Sequence, residues 1–335
     1  MHPLNRYFHP VLASASLTTR PVRVTVAGHA LALFRDPEGH AAALDDACPH
    51  RLAPLSRGRV RPDGRLACPY HGWHFDRTGA GVCPTIPDLP RCRTRGWQVV
   101  ERYDAIWVAG LDVPMTLFPT MAFDGWEYAG HAITPFPAPL HVAMDNFNEN
   151  EHTPWLHGML GWTEADAPKV TFFSKNLPDQ TNIHYEAPQR PSPWLPFLGV
   201  KAGDTFVNDW QTRFDPVRSV YTLAWRDPVT GAPRPLATRF VIFLVPESDT
   251  VTLYQTFLYV KIAPGFYRTI APVVKRVAMY LGRSEIARDA AFIPAVADTP
   301  LSLKGMRLTR FDHPLIHNRT LLRTLYWGVS PVDAE

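Results

Sequence analysis

Apolar and polar residues alternate in short runs between turn signals from about residue 22 to 111: VRVTVAGHALALFRD with Gly28 at a turn, then AAALDD, then GWQVVERYDAIWVAG. This period of two, broken by Gly, Pro and Asp, predicts a small antiparallel β domain. Further along, KVTFFSK, TNIHYEA, DTFVNDWQTRF, SVYTLAW, TRFVIFLVPE and TVTLYQTFLYVKI carry the same alternation and predict a second antiparallel sheet with one wet face. The period then lengthens over about 264 to 297. In GRSEIARDAAFIPAVAD, Ile286, Ala290, Ile293 and Ala297 form an apolar stripe at i, i+4, i+7 and i+11, which predicts a long helix. The segment from about 112 to 123, with Pro114 and Pro119, reads as a linker. The expectation is an α+β chain of two domains, 1–115 and 116–335.

Composition supports this division. A chain of 335 residues with 46% apolar side chains can fill two cores, and its 34 prolines are about twice the usual ~5% share, favouring turn-rich β structure over a helical bundle. A net charge of +3, from 34 basic and 31 acidic residues, implies neither a nucleic-acid partner nor an acidic tail. The start, MHPLNRYFHPVLASASL, lacks an apolar run followed by a small-residue cleavage site. The apolar run from 270 to 281 is broken by Lys275 and Arg276, so no membrane span and a cytoplasmic location are expected.

The stretch DDACPHRLAPLSRGRVRPDGRLACPYHGWHF holds two short loops, each offering one thiol and one imidazole: Cys48 with His50, and Cys68 with His71. Two thiolates and two imidazoles suit a sulfide-bridged iron pair whose irons differ in ligand type. Zinc is the competing use of two Cys and two His, but zinc motifs pair like ligands as Cys-x2–4-Cys and His-x3–5-His, whereas these loops mix them. Pro49 and Pro69 stiffen the turns, and Gly72 lets the backbone fold tightly beside His71. Cys83 and Cys92 remain, and a reducing compartment leaves them as free thiols.

The pattern Cys-x-His-x17-Cys-x2-His resembles the Rieske domain. Its surroundings, Cys-Pro-His-Arg-x-Ala-Pro-Leu and Cys-Pro-Tyr-His-Gly-Trp-x-Phe, resemble the form found in Rieske non-heme iron oxygenases. The respiratory Rieske proteins place two further cysteines and a serine where this chain has Ala53, Tyr70 and Trp73, which implies a lower potential here. The resemblance covers nearly the whole chain. It implies an N-terminal all-β [2Fe-2S] domain and a C-terminal helix-grip catalytic domain.

In that second domain MDNFNENEHTPWLHGML contains His152 and His157, preceded by Asp145, Glu149 and Glu151. Two histidines and one carboxylate on one face hold ferrous iron with positions open for oxygen. Spacing alone leaves these as two of the chain's 14 histidines, since on an ideal helix they would diverge by about 140°. Pro154 makes such a helix unfavourable, and Thr153 with Pro154 reads as an N-cap and first-turn pair. The resemblance matches the segment to a family motif similar to Asp-x2-His-x4-His, with Glu149 in the place of the Asp. It implies that this carboxylate bridges a metal-binding His to a cluster-binding His of the neighbouring subunit, with Asp145 as the second choice. For the third ligand Asp289 borders the helical stripe more closely than Glu285 or Asp298, and a carboxylate facing an apolar interior is costly unless paired or metal-bound. The alternative is a solvated Asp partnered by Arg283 or Arg288.

The resemblance further implies a terminal oxygenase component with mononuclear Fe(II), acting on O2 and a small aromatic or alicyclic molecule. Electrons would come from NAD(P)H through a flavin/iron–sulfur reductase or a ferredoxin, and a head-to-tail homotrimer would bring one subunit's cluster near the next subunit's iron. Hydroxylation or demethylation is expected before ring dihydroxylation. An electron-transfer protein without oxygenase activity would leave some 220 residues after the cluster domain without a task. Trp73 and Arg51 are candidates for docking the reductase or the next subunit. Phe206, Trp210, Phe240, Phe243, Tyr254 and Phe257 are assigned to sheet core rather than to binding.

Overall fold

The alternating runs at the front of the chain form ten strands. They are β1 (His9–Ala13), β2 (Val22–Val26), β3 (His29–Arg35), β4 (Ala41–Asp45), β5 (Arg59–Val60), β6 (Leu66–Ala67), β7 (His74–Phe75), β8 (Gly81–Val82), β9 (Gly96–Arg102) and β10 (Ala105–Ala109). The computed structural model describes residues 1–87, 89 and 92–329, so the last six residues of the expected second domain lie outside the described residues. Two compact units are present: one holds residues 1–119 with 245–249, the other 120–244 with the rest of the chain. The expected boundary at 115/116 lies four residues before the first of these divisions.

In the first unit, antiparallel pairing gives a six-stranded sheet ordered β1-β10-β9-β4-β3-β2 and a four-stranded sheet of short strands ordered β5-β6-β7-β8. Phe34, Leu44, Leu55, Leu66 and Phe75 are buried in one cluster with all four cysteines of the chain. The second sheet is thus little more than two loops held on an apolar floor, with strands of two residues that end where the Cys and His residues begin.

The second unit is built on a seven-stranded antiparallel sheet. Its strands are β11 (Glu127–Phe136), β12 (Thr171–Leu177), β13 (Gln180–Pro188), β14 (Thr205–Phe214), β15 (Val217–Arg226), β16 (Leu236–Pro246) and β17 (Thr252–Ile262), ordered β11-β17-β16-β15-β14-β13-β12. Five helices accompany it: α1 (Leu140–Asn148), α2 (Thr153–Leu156), α3 (Phe266–Thr269), α4 (Ala271–Phe292) and α5 (Leu315–Leu321). Along β14 buried and less buried residues alternate strictly, so that Phe206, Asn208, Trp210, Thr212 and Phe214 share the inner face. Helix α4 packs on β11 and β17 and touches α2. Sequence periodicity merged α3 and α4 into one helix; the chain breaks between them at Ile270, with φ −107° and ψ 22°.

The buried face of α4 is Val274, Ala278, Leu281, Glu285, Ile286 and Asp289. It differs from the stripe expected from the sequence, because the helix ends at Phe292 and only Ile286 and Ile293 of that stripe are fully buried. The true stripe carries two carboxylates one turn apart, at positions that project from the same helix face.

Candidate metal centres and cavity

The two Rieske-type loops are built alike. In each, the cysteine N–H bonds a carbonyl across its own loop, Cys48 to Ala53 at 2.9 Å and Cys68 to Trp73 at 2.7 Å. The residue four positions on returns its N–H to the cysteine carbonyl, Leu52 at 2.7 Å and Gly72 at 3.2 Å. Both returning residues sit in the left-handed region, Leu52 at φ 55° and Gly72 at φ 73°. Gly72 meets this requirement without strain, whereas Leu52 adopts it as a branched residue. The consequence is that Cys48 and Cys68 point into the buried floor while His50 and His71 stand exposed at the tip, ring centroids 4.5 Å apart. Burial, together with the neighbouring Cys68, pushes the Cys48 thiol up to about 11, so holding Cys48 as a thiolate calls for positive charge such as iron supplies. Trp73 is half-buried and stacks on His50 at 4.9 Å and 5°, and Arg51 is exposed. Cys83 and Cys92 stand as buried free thiols.

In the second unit one short helix arranges the histidine pair. His152 is the N-cap of α2 and His157 its C-cap, with Pro154 in the first turn, so the cap lies one residue earlier than Thr153. A single turn followed by extended backbone at His157 (ψ 143°) brings the rings together instead of splaying them. Arg190 holds the turn closed by donating to the His157 carbonyl at 2.6 Å. The Nε2 atoms of the two histidines lie 3.1 Å apart, and Asp289 Oδ1 lies 3.7 Å from that of His152 and 3.2 Å from that of His157. Ligands at right angles around an ion with bonds of about 2.1 Å would be about 3 Å apart, so the three atoms suit one face of a six-coordinate ion. Asp289 is 4% exposed, and its Oδ1 has no hydrogen-bond partner, the state expected of an atom whose natural partner is a cation.

Each histidine is oriented by a carboxylate on its other nitrogen. Glu149 Oε1 bonds His152 Nδ1, and its Oε2 accepts the backbone N–H groups of Glu151 at 2.6 Å and His152 at 3.3 Å. Glu285 Oε2 lies 2.9 Å from His157 Nδ1. Sequence reasoning missed Glu285; its position four residues before Asp289 on the same helix face was the signal that pointed to it. Burial disfavours a proton on His157, yet Asp289 and Glu285 outweigh it and raise the ring to about 9. Asp145 is engaged elsewhere: its Oδ2 takes two donors from Arg319, Nε at 2.8 Å and Nη2.

Beside these residues opens a cavity of about 120 Å³. Glu149, His152, His157, Glu285 and Asp289 line it together with the aromatic side chains of Phe147, Tyr185, Phe206, Trp210, Tyr221 and Phe240. Phe206, Trp210 and Phe240 therefore line the cavity as well as contributing to the core. Gly282 faces it from α4, where a Cβ would come within 2.5 Å of the Phe240 ring.

A fold with two such centres defines a class, and comparison with known proteins gives the same one. Residues 8–103 match the Rieske [2Fe-2S] domain family. Over 76% of its own length and 76% of the relative's, the chain is 28% identical to the vanillate O-demethylase oxygenase subunit of Pseudomonas sp. (strain HR199 / DSM 7063). It is 44% identical over 97 residues, 28% of each protein, to the dicamba O-demethylase oxygenase component of Stenotrophomonas maltophilia. A match at 31% identity to chlorophyllide a oxygenase of Chlamydomonas reinhardtii takes in 50% of this chain and 27% of that one. Two of these three relatives are thus matched over less than a third of their length. The crystal structure of dicamba monooxygenase bound to 3,6 dichlorosalicylic acid superposes with a TM-score of 0.80 over 97% of this chain and 98% of that one, at 21% identity, which establishes the shared fold. Residues 8–103 belong to the Rieske [2Fe-2S] domain family, and the chain as a whole is similar to O-demethylase oxygenase components and shares the fold of dicamba monooxygenase.

Proposed function

We propose that this protein is the terminal oxygenase of a multicomponent system and hydroxylates or O-demethylates a small aromatic or alicyclic substrate. The observation that carries the reading is the convergence of His152 Nε2, His157 Nε2 and Asp289 Oδ1 in the wall of an aromatic-lined cavity, in a chain that also carries a Rieske domain. Cys48, Cys68, His50 and His71 would hold the [2Fe-2S] cluster, and His152, His157 and Asp289 a mononuclear Fe(II). Iron in the second site supplies a redox-active centre for reducing oxygen.

The chain's own residues do the rest. Glu149 and Glu285 accept the Nδ1 protons of His152 and His157, which fixes both tautomers and leaves the Nε2 lone pairs for metal. The aromatic wall excludes water and holds substrate beside them. One oxygen atom enters the substrate and the other leaves as water, consuming two electrons and two protons; a methyl ether hydroxylated in this way breaks down to an alcohol and formaldehyde.

Electrons originate in NAD(P)H and arrive through a flavin/iron–sulfur reductase or a ferredoxin. Glu149 is the proposed bridge to a neighbouring subunit's cluster, in a homotrimer. Asp145, tied to Arg319, is the weaker candidate. A cytoplasmic location suits the free thiols and the reductant. Among the described residues no helix is long and apolar enough to cross a membrane.

The test is NADH-dependent oxygen uptake with a surrogate reductase, after iron and sulfide analysis. At saturating iron, Glu149→Gln should retain both metals and lose turnover by at least 100-fold. Wild-type turnover in that variant removes the bridge, and zinc in place of iron and sulfide removes the whole reading.

A further inference from the structure

The cavity wall holds polar atoms that the proposed chemistry does not use. Tyr221 donates its hydroxyl to the Phe147 carbonyl, so its polar end is spent within the protein. Two neighbours on β14 are different. Trp210, 4% exposed, has its indole Nε1 buried with no hydrogen-bond partner, and Asn208, 6% exposed, has its Oδ1 buried in the same condition. Both belong to the inner face of the strand and line the cavity, two residues and therefore about 7 Å apart along it. An unpaired buried donor or acceptor costs about 1–3 kcal/mol, so a donor and an acceptor held this way await a complementary group.

Charge narrows the class of that group. Among the described residues no Lys or Arg lines the cavity, while Glu149, Glu285 and Asp289 do. Asn146 Nδ2 and the Asn150 amide are further uncharged lining groups without partners, and the other lining atoms in that condition, Glu285 Oε1 and Asp289 Oδ1, are carboxylate oxygens. A divalent ion between the histidines would be outnumbered by the three carboxylates. A substrate carboxylate would have to shed its water in an apolar wall that already carries three carboxylates, a penalty of several kcal/mol. A neutral hydroxyl can accept from Trp210 Nε1 and donate to Asn208 Oδ1 at no such cost.

We propose that this cavity selects an uncharged ring substrate whose hydroxyl group is recognised by Trp210 and Asn208, and that it discriminates against aromatic acids. The inference rests on the oxygenase reading for its biological meaning, but the recognition itself is measured without turnover. Three bicyclic probes of matched shape serve: 6-methoxy-2-naphthol, 6-methoxy-2-naphthoate and 2-methoxynaphthalene, titrated calorimetrically into the intact holoprotein under argon at pH 7.5. The naphthol should bind at least 10-fold more tightly than the naphthoate. Trp210→Phe, which keeps the ring stacked on Tyr221 but removes the N–H, should weaken naphthol binding 3- to 10-fold and leave 2-methoxynaphthalene unchanged; Asn208→Leu should act in the same direction. Equal or tighter binding of the naphthoate, no binding of any probe, or equal effects of Trp210→Phe on naphthol and on 2-methoxynaphthalene would overturn the proposal. Selective naphthol binding without oxygen uptake would instead sink the oxygenase reading and leave the recognition site standing.

Discussion

Replacing Glu285 by Gln separates two effects that this carboxylate exerts on His157. The contact is 2.9 Å, the Glu285 side chain is 4% exposed, and Arg288 Nε stands 3.7 Å from its other oxygen. As an orienting partner, Glu285 holds the Nδ1 proton and directs Nε2 at the metal position, and losing such a partner typically weakens metal binding 10- to 100-fold. As a charge, it works with Asp289 to lift His157 to about 9, which opposes the metal. At pH 7 the ion must displace a proton held by about two pH units, about 2.7 kcal/mol or roughly 100-fold in affinity. The group is raised, so this competition is strongest below its ordinary value near 6.5 and fades as pH rises through 9. Glu285→Gln weakens the grip on the proton as well as the orientation, and at pH 7 one loss offsets part of the other. By pH 9 only the orientation loss remains. Fe(II) affinity, measured anaerobically against a chromophoric chelator with the cluster spectrum as a fold control, should therefore drop 10- to 100-fold at pH 9 and by a smaller factor at pH 7. An unchanged affinity at both values, or a larger loss at pH 7, would refute the assignment of Glu285 to His157.

Two further outcomes follow from the packing. Arg319→Ala removes the partner of Asp145 and also the donors to the Pro300 and Leu301 carbonyls, at 3.0 and 2.6 Å; leaving that carboxylate uncompensated should destabilise the second unit by about 3–5 kcal/mol in chemical denaturation. Gly282→Ala gains about 1 kcal/mol of helix propensity but drives a Cβ to 2.5 Å from the Phe240 ring, and overpacking at about 1–3 kcal/mol wins. Its melting temperature should fall, and the displaced ring should exclude the bulkiest ligands; a rise in melting temperature would mean that Phe240 swings away freely.

The sequence by itself carried what depends on local order. Alternation placed the strands, Pro154 ruled out one continuous helix through His152 and His157, and the mixed Cys and His spacing of the two loops singled out an iron–sulfur site. Tertiary structure decided what depends on which face is turned inward and what lies opposite. Glu285 looked like one more surface carboxylate because the apolar residues nearest it suggested a stripe running through Ile293 and Ala297; only the packing of α4 against β11 and β17 shows the buried stripe passing through Glu285 and Asp289. Asp145 and Glu149 were alike as letters four positions apart, and only the fold pairs the first with Arg319, 174 residues away, and the second with His152. Trp210 and Asn208 read as ordinary residues of a strand. Their unpaired polar atoms exist only once neighbouring strands and α4 close around them, because a hydrogen-bond deficit belongs to the folded enclosure and to no residue alone.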